Sequence, residues 1–386
     1  MKKRTVPFYR ASITSAEIQA ASNVLKSGWL TTGQVCKKFE QKFNEYIGCR
    51  HSAAVNSCTA GMILALKALG IGRGDQVITT PYTFVATVEA ILTVDARPVF
   101  VDIDPVTLNL DCDQIESKIT ARTRAILPVH IAGLPCRLDR INRIARKHGL
   151  KVVHDAAHAL GASFKGKRIG AWGDISSFSF YATKNLTTAE GGMVTTDNKK
   201  FAEAVQIMSL HGMDKKAWKR YLDSGSWYYE VVKFGYKFNM PDLNAAVGLA
   251  TMDRLKKLQQ KRAIVAGWYD KALAKFPQIE LPARDSDSEH GWHLYIIKLN
   301  LDMLEINRDK FIRELTARNI GTSVHFIPMF LHPYYKGKYG LSAGKFPHSA
   351  NAYRRVISLP FYPDLTKDEI QYTADSIGKI IDKYSE

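Results

Sequence analysis

The order of strand-like and helical segments constrains the fold of this chain more than any other feature of its sequence. Seven short runs rich in apolar and β-branched residues are typical of strands, and helical patterns lie between most of them. The runs are Ser52–Val55, Gln76–Thr79, Pro98–Asp102, Arg124–Val129, Lys151–His154, Ile175–Phe180 and Met193–Thr196. This alternation predicts an α/β protein with a mainly parallel sheet covered by helices on both faces. Ligands bind beyond the carboxyl ends of such strands, so the residues that follow each strand are candidate site residues.

The pattern changes after about residue 240, where the regular alternation ends. A long helical stretch is followed by a strand, a helix, a short strand and a final helix: Asp242–Phe276, His293–Leu299, Arg308–Arg318, Gly321–Phe326 and Lys367–Lys383. We therefore predict a large α/β domain over residues 1–250 and a smaller α+β domain over residues 251–386. A capping box at Thr14–Glu17 predicts a helix that ends at Gly28, and this N-terminal segment is a candidate to pack on the small domain.

The charge balance favours anionic partners. Among 386 residues, 54 are basic and 37 acidic, which gives a formal charge of +17. Nucleic acid, a membrane surface and phosphorylated small molecules would all suit such an excess. The basic residues are spread along the chain rather than massed in one segment, which argues against a nucleic-acid-binding regulator. The most apolar run, Met62–Leu66, is too short to span a bilayer, so we expect no membrane partner.

The cysteines indicate the compartment. There are five, an odd number without paired spacing: Cys36, Cys49, Cys58, Cys112 and Cys136. Such a set argues against a disulfide framework and a zinc ribbon, and predicts reduced thiols. The basic start Met1–Arg4 is not followed by the apolar segment of a secretion signal. We expect a soluble cytoplasmic protein.

An acid and an amine follow two of the predicted strands. Asp155 comes directly after Lys151–His154, and Lys184 lies four residues after Phe180. A lysine can hold an aldehyde cofactor covalently and later move protons, while a carboxylate can keep a pyridine nitrogen protonated. Taken alone, an aspartate after a strand is more often a turn or helix cap, and a lone lysine on a loop is usually solvated. Their combination, followed by a Glu-Gly-Gly turn that starts at Glu190, favours the cofactor interpretation.

The histidines His154 and His158 invite a second interpretation. They stand four residues apart with Asp155 between them, a spacing found on metal-binding helices. That motif needs a helix with both rings on one face and a glutamate, whereas here a strand precedes the pair and the acid is an aspartate. We therefore predict no metal site, and we expect His154 to pack near the strand end and His158 to face the cofactor.

The segment from Val55 to Gly61 joins a predicted strand to a helix whose first turn contains Ser57, Cys58 and Thr59. Free backbone amides at such a helix start, together with hydroxyl groups, suit a phosphate. An ordinary N-cap by Ser57 or Thr59 would explain the same pattern. Phe84 follows the next strand, where it could cover a planar cofactor or belong simply to the core.

These motifs, taken together and in this order, resemble the DegT/DnrJ/StrS sugar aminotransferases, which are pyridoxal-phosphate enzymes of the aspartate-aminotransferase fold. The resemblance covers essentially the whole chain and rests on Ser27–Gly33, Asp155–His158, Ser179–Asn185, Glu190–Gly192, Gly235–Asp242, His325–Pro328 and His332–Tyr335. It implies a large domain with a mainly parallel seven-stranded sheet and a smaller α+β domain. Among subgroups, the chain is most similar to enzymes that aminate C4 of UDP-linked 4-keto sugars.

The resemblance also implies a role for each matching residue. Lys184 would hold the cofactor and shuttle protons, Asp155 would pair with its ring nitrogen, and His158 would lie beside its 3-oxygen. Phe84 would stack on the cofactor ring. The phosphate would be held by Ser57, Cys58, Thr59 and Ser179, and the sugar nucleotide would be bound by Trp29, Thr31, His325 and Phe326. Asn239 would reach the phosphate from the partner subunit of a homodimer. Many family members have Gly or Ala where Cys58 stands, which affects crowding at the phosphate loop.

The implied reaction is a transamination in two halves. L-glutamate would give its amino group to the cofactor, leaving 2-oxoglutarate and pyridoxamine 5'-phosphate, and a keto-sugar nucleotide would then accept that group. Amino-sugar and cell-surface polysaccharide synthesis is the expected setting. Related sugar dehydratases carry histidine in place of the anchoring lysine, so Lys184 argues against that alternative.

Overall fold

The computed structural model describes residues 4–214 and 228–385 of the chain. The helices in these ranges are α1 (Ser15–Ser27), α2 (Gln34–Ile47), α3 (Cys58–Ala68), α4 (Val85–Thr93), α5 (Leu138–Lys147), α6 (Lys199–Ser209), α7 (Asp242–Met252), α8 (Leu255–Leu273), α9 (Arg308–Ala317), α10 (Pro333–Tyr339), α11 (Pro347–Arg355) and α12 (Lys367–Tyr384). The strands are β1 (His51–Val55), β2 (Gln76–Thr79), β3 (Arg97–Phe100), β4 (Thr123–Ile126), β5 (Lys151–Asp155), β6 (Ser163–Phe164), β7 (Lys167–Arg168), β8 (Ile175–Ser179), β9 (Gly192–Thr196), β10 (Ile279–Glu280), β11 (Ser288–Glu289), β12 (Tyr295–Leu299) and β13 (Val356–Leu359).

The central sheet has seven strands in the order β1-β9-β8-β5-β4-β2-β3. Its strands are parallel except β9, which runs antiparallel to both β1 and β8. Each strand corresponds to one of the seven predicted runs, with ends shifted by a few residues. The predicted fold class, a mainly parallel seven-stranded α/β sheet, is therefore confirmed.

Helices cover both faces of this sheet, as the consecutive apolar residues predicted. One core cluster joins α2 and α5 to one face, and another joins α3, α4 and α6 to the opposite face. The approach of α3 is close at Gly61, where a Cβ atom would lie 2.2 Å from the Ser177 hydroxyl oxygen on β8. Only a glycine therefore lets the first turns of α3 lie directly against the strand that precedes the candidate lysine.

The C-terminal part of the chain has its own core. Strands β10, β12 and β13 form an antiparallel sheet that packs with α8, α9 and α12. Val6 joins this core through a parallel bridge to Ile320, whereas α1 packs against α7. The beginning of the N-terminal segment thus contacts the C-terminal core. The division at residue 250 stays a prediction.

Two predicted elements differ in the structure. The helical stretch Asp242–Phe276 breaks between α7 and α8 at Arg254, whose guanidinium bonds Glu17 Oε1 at 2.8 Å and thereby ties the break to α1. The predicted strand Gly321–Phe326 is wrong. Gly321 donates to the Val6 carbonyl oxygen at 2.9 Å, whereas Ser323 pairs with Ser358 on β13, so the backbone hydrogen bonds of this segment go to two different partners and no continuous ladder forms.

Two structural findings concern membrane-spanning helices and the cysteines. No helix in the described part of the chain is long and apolar enough to cross a membrane. All five cysteines are free thiols, and only Cys49 is partly exposed.

Candidate active site

The carboxyl ends of β5 and β8 and the first turn of α3 border one cavity of about 510 Å³. Most of the predicted site residues line it: Ser57, Cys58, Thr59, Phe84, Asp155, His158, Ser179, Lys184, His325 and Phe326. The sheet topology explains this convergence, because β5 and β8 are parallel neighbours whose ends meet at the same edge.

Asp155 ends β5 with a buried carboxylate. Its Oδ2 accepts a hydrogen bond from the Thr87 hydroxyl at 2.7 Å, and its Oδ1 accepts one from the Ala157 N–H at 3.1 Å. Burial raises the pKa of this carboxyl, although the Thr87 hydrogen bond acts in the opposite sense. The charged form is therefore costly by itself, and a cation placed against it would stabilise it.

Lys184 lies in the turn that follows β8, where its backbone N–H donates to the Tyr181 carbonyl oxygen at 2.9 Å. Burial lowers the pKa of its amine from the ordinary 10.5 to about 8, while the nearby Cys58 and Asp155 act in the opposite sense. A substantial fraction of the amine is therefore neutral near pH 8, as a nucleophilic lysine requires.

Three neutral histidines surround this amine. Burial lowers the pKa of His158 and of His293 well below that of ordinary imidazole, and it lowers the pKa of His325 to about 4. The His158 Nδ1 accepts from the Ala132 N–H at 3.3 Å, which places the ring proton on Nε2. The ring centroids of His158 and His293 are 4.3 Å apart, and the Phe326 ring stacks on His158 with 5.6 Å between the centroids.

The two histidines of the possible metal motif, His154 and His158, have different surroundings. His154 lies in β5 and is buried against His130, with 3.1 Å between His154 Nδ1 and His130 Nε2. His158 instead faces the cavity, so the two rings have different partners. Within residues 4–214 and 228–385, no group of three potential His, Cys, Asp or Glu ligands could hold a metal ion.

The start of α3, which we call the α3 cradle, has features that suit an anion. Ser57 is the N-cap, and its hydroxyl accepts from the Ala60 N–H at 3.1 Å, so the ordinary capping role is also present. The first N–H groups of an α-helix have no acceptor within it, and Ser57, Cys58 and Thr59 at this helix start line the cavity. Gly192 comes so close that its Cβ would lie 2.6 Å from the Ser57 carbonyl carbon and 2.8 Å from the Cys58 nitrogen. The side chain of Cys58 donates to the Ser177 carbonyl oxygen at 3.3 Å, so this residue offers an anion only its backbone.

Three predicted residues, Trp29, Thr31 and Asn239, are not among the described residues that line the cavity of their own chain. They are joined to one another, because the Asn239 amide donates to the Thr32 hydroxyl oxygen at 2.7 Å and the Trp29 indole N–H donates to the Thr32 carbonyl oxygen at 3.3 Å. The backbone of Asn239 also pairs with Val55, which precedes the start of α3. The structure of one chain therefore separates the predicted site residues into two groups.

Sequence reasoning missed several residues of the site. Thr87 holds Asp155 from the first half of α4, and His293 lines the cavity with its Nδ1 3.3 Å from the Asn185 Oδ1. Asn185, next to Lys184, also donates to the carbonyl oxygens of Leu160 at 3.0 Å and Gly291 at 2.6 Å. Asn185 lies within a quoted motif, but the partners of its amide could not be read from spacing. Further residues of the lining are Phe8, Tyr9, Thr83, Tyr181, Glu190 and Phe361.

A buried acid, a partly neutral lysine and a helix N-terminus around one cavity define the class of pyridoxal-phosphate enzymes built on an α/β sheet. The chain belongs to the DegT/DnrJ/EryC1/StrS aminotransferase family, whose model matches residues 11–378.

Individual relatives agree with this assignment. The chain is 48% identical over 381 residues to the uncharacterized protein MJ1066 of Methanocaldococcus jannaschii, with 99% of each covered. It is 45% identical over 377 residues to the spore coat polysaccharide biosynthesis protein SpsC of Bacillus subtilis, with 97% of each covered. The putative sugar aminotransferase Spr1654 of Streptococcus pneumoniae, solved in its PMP form, matches with a TM-score of 0.93 and 35% identity over 98% of this chain and all of that one. The same protein has also been solved in a PLP form. The predicted family and enzyme class are thereby confirmed.

Proposed function

We propose that this protein is a sugar-nucleotide aminotransferase that uses pyridoxal 5'-phosphate to move an amino group from L-glutamate to a keto sugar. The favoured acceptor is C4 of a UDP-linked 4-keto sugar. The observation that carries the proposal is the shared cavity of Asp155, Lys184 and the α3 cradle. The relative SpsC, named for spore coat polysaccharide biosynthesis, supports a role in amino-sugar and polysaccharide synthesis, and the free thiols agree with a cytoplasmic setting.

The residues present fit this cofactor. Asp155 would pair with its ring nitrogen, a cation that would offset the burial cost of the carboxylate. The α3 amides with Ser57, Thr59 and Ser179 would hold its phosphate, and the missing Cβ of Gly192 lets the start of α3 lie close against β9. When bound, the cofactor supplies an electron sink that makes a proton on the amino-bearing carbon removable.

The protein's own contribution is to hold and move protons. The lowered pKa of Lys184 lets its amine take a proton from the donor's α-carbon and return one to the carbon of the acceptor. His158, with Nδ1 fixed by the Ala132 N–H, presents a neutral ring that can donate from Nε2. Phe84 would stack on the cofactor ring, and Phe326, whose ring centroid is 6.1 Å from that of Phe84, would help to exclude water from it.

A homodimer with a shared site is part of the proposal. Lys184 is the only lysine or arginine among the described residues that line the cavity, although phosphate, diphosphate and carboxylate groups all have to bind there. Asn239, Trp29 and Thr31 lie outside it. The segment before Asn239 exposes large apolar side chains, including Val231 and Phe234, the latter 79% exposed. A second copy packed on this segment would bury these side chains and could bring Asn239 to its partner's phosphate.

The pKa of Lys184 predicts how the cofactor-free protein takes up pyridoxal phosphate. The neutral amine is the reactive form, so the uptake rate should rise up to about pH 8 and level off above it, instead of rising towards the ordinary lysine value of 10.5. The measurement is the growth of visible absorbance after mixing over a pH series. A rate that still climbs between pH 9 and 10 would contradict the assigned pKa, and Lys184→Met, as control, should lack the phase.

The substrate class is tested with the enzyme loaded with pyridoxamine phosphate. We expect rapid recovery of the visible absorbance with UDP-linked 4-keto sugars, and slow or no recovery with GDP- and dTDP-linked analogues. The amino-sugar product is identified by mass spectrometry, and 2-oxoglutarate serves as the positive control for the donor half-reaction. Recovery with 2-oxoglutarate but with no keto-sugar nucleotide would overturn the proposal of a sugar substrate.

A further inference from the structure

Asp242, in the first turn of α7, makes a set of contacts that the mechanism above does not use. Its carboxylate is buried and accepts three backbone hydrogen bonds from the start of α2: Oδ1 from Gly33 at 2.7 Å and from Cys36 at 2.9 Å, and Oδ2 from Val35 at 3.1 Å. The N-cap of α2 is Gly33, which has no side chain to satisfy these donors. An acid from more than 200 residues away thus caps this helix.

Asp242 belongs to a wider latch, which we define as the contacts between residues 29–33 and residues 239–242. The Thr32 hydroxyl donates to the Met240 carbonyl oxygen at 2.5 Å and accepts from the Asn239 amide at 2.7 Å. The Asp242 N–H donates to the Thr31 carbonyl oxygen at 3.2 Å. Backbone and side-chain bonds of the latch therefore run in both directions, and the two segments form one unit.

The packing inside the latch is close. A Cβ atom at Gly33 would lie 2.4 Å from the Trp29 Nε1 and 2.6 Å from the Asp242 Oδ2. The absence of a side chain at this position lets Trp29 lie against the carboxylate-bound turn. The latch therefore fixes, in one body, all three predicted site residues that are absent from the cavity lining of their own chain: Trp29, Thr31 and Asn239.

We infer that Asp242 is a positioning residue that acts in trans: it fixes the latch of one protomer in the shape that completes the active site of the other. This inference rests on the proposed shared-site homodimer. The carboxylate does not line the cavity of its own chain, so its effect on the reaction would pass through Trp29, Thr31 and Asn239.

The first test is Asp242→Asn, which keeps the size of the side chain but turns an NH2 group towards at least one of the three N–H donors. In the homodimer we expect kcat/KM for the keto-sugar nucleotide to fall about 10- to 100-fold, mainly through KM, together with faster loss of cofactor. Asp253→Asn, just beyond the C-terminus of the same helix with a side chain 71% exposed, is the matched control and should behave as wild type. Unchanged KM and cofactor retention in Asp242→Asn would overturn the inference.

The decisive test uses hybrid dimers made by co-expressing two differently tagged chains. One chain carries Lys184→Met and the other Asp242→Asn, so the only site with a lysine receives its latch from the unaltered partner. Action in trans predicts about half of the wild-type kcat per dimer with a wild-type KM, because one of two equivalent sites works normally. Action within one chain predicts the raised KM of the Asp242→Asn homodimer.

A parallel hybrid of Lys184→Met with Asn239→Ala separates this inference from the proposal beneath it. If the Asn239→Ala hybrid shows half of the wild-type kcat with a wild-type KM but the Asp242→Asn hybrid does not, the role of Asp242 is overturned and the shared site stands. Recovery with neither would overturn the shared site, and the inference with it. If Asp242→Asn fails to fold, Thr32→Val removes two bonds of the latch and should show the same recovery in trans.

Discussion

Replacing Lys184 by methionine is expected to lower kcat by at least about 10⁴-fold and to abolish covalent retention of the cofactor. Methionine keeps an unbranched apolar side chain but has no amine. Among the described residues that line the cavity, no other lysine or arginine could take over, and the pKa values of the three neighbouring histidines are lowered by burial. The measurements are single-turnover kinetics and the visible spectrum after gel filtration.

A second buried lysine provides the matched control. Lys298 has a side chain only 10% exposed, and its Nζ donates to the Pro105 carbonyl oxygen at 3.0 Å, outside the cavity lining. Lys298→Met should lower the melting temperature but leave kcat near that of wild type. Added methylamine should restore part of the turnover of Lys184→Met, because a small amine can enter the space left by the side chain. Turnover by Lys184→Met within tenfold of wild type would remove the lysine from its proposed role.

The central sheet was predictable because each of its strands is marked locally. A strand buried on both faces favours apolar or small residues at consecutive positions. Val152 and Val153 mark β5 in this way, and β8 combines Ile175 and Phe178 with small serines. Since parallel strand ends meet at one edge, the positions of Asp155 and Lys184 after these strands were enough to bring them into one cavity.

The contacts that orient these groups were not predictable in the same way. Thr87 reaches Asp155 across 68 residues, and Asn185 meets His293 across 108, so neither pair leaves a periodic signal in the sequence. The segment Gly321–Phe326 has the composition of a strand, but its hydrogen bonds are divided between the N-terminal segment and β13. Local propensity indicates which conformations a segment can adopt, but its hydrogen-bonding partners in the folded protein determine whether it becomes a strand.

The net charge of the chain does not reflect the charges of the cavity lining. A formal charge of +17 predicted anionic ligands, yet Lys184 is the only lysine or arginine among the described residues of the cavity lining. In the proposed site, anions would bind instead to helix amides and hydroxyl groups, which do not contribute to the net charge. Further cations for a diphosphate would have to come from outside this lining, which is consistent with a site completed by a second chain.

Asp155→Asn is expected to fold normally and to lower kcat by at least about 100-fold. The asparagine oxygen can still accept from the Ala157 N–H, and the Thr87 hydroxyl can turn to accept from the new amide. Burial raises the pKa of the native carboxyl, so the charged form costs stability near neutral pH, and the cofactor-free variant should be at least as stable as wild type. Turnover should nevertheless fall, because a neutral amide cannot keep the ring nitrogen of the cofactor protonated.

Two further measurements separate this charge effect from a change of shape. Thr87→Val removes one hydrogen bond but keeps the carboxylate, so its kcat should lie between those of wild type and Asp155→Asn. A cofactor analogue methylated on the ring nitrogen carries a permanent positive charge and should recover part of the lost rate in Asp155→Asn but not in Lys184→Met. If the analogue gave no recovery while the variant kept the thermal stability and cofactor content of wild type, Asp155 would act by fixing geometry, and the assignment of its charge to the reaction would be wrong.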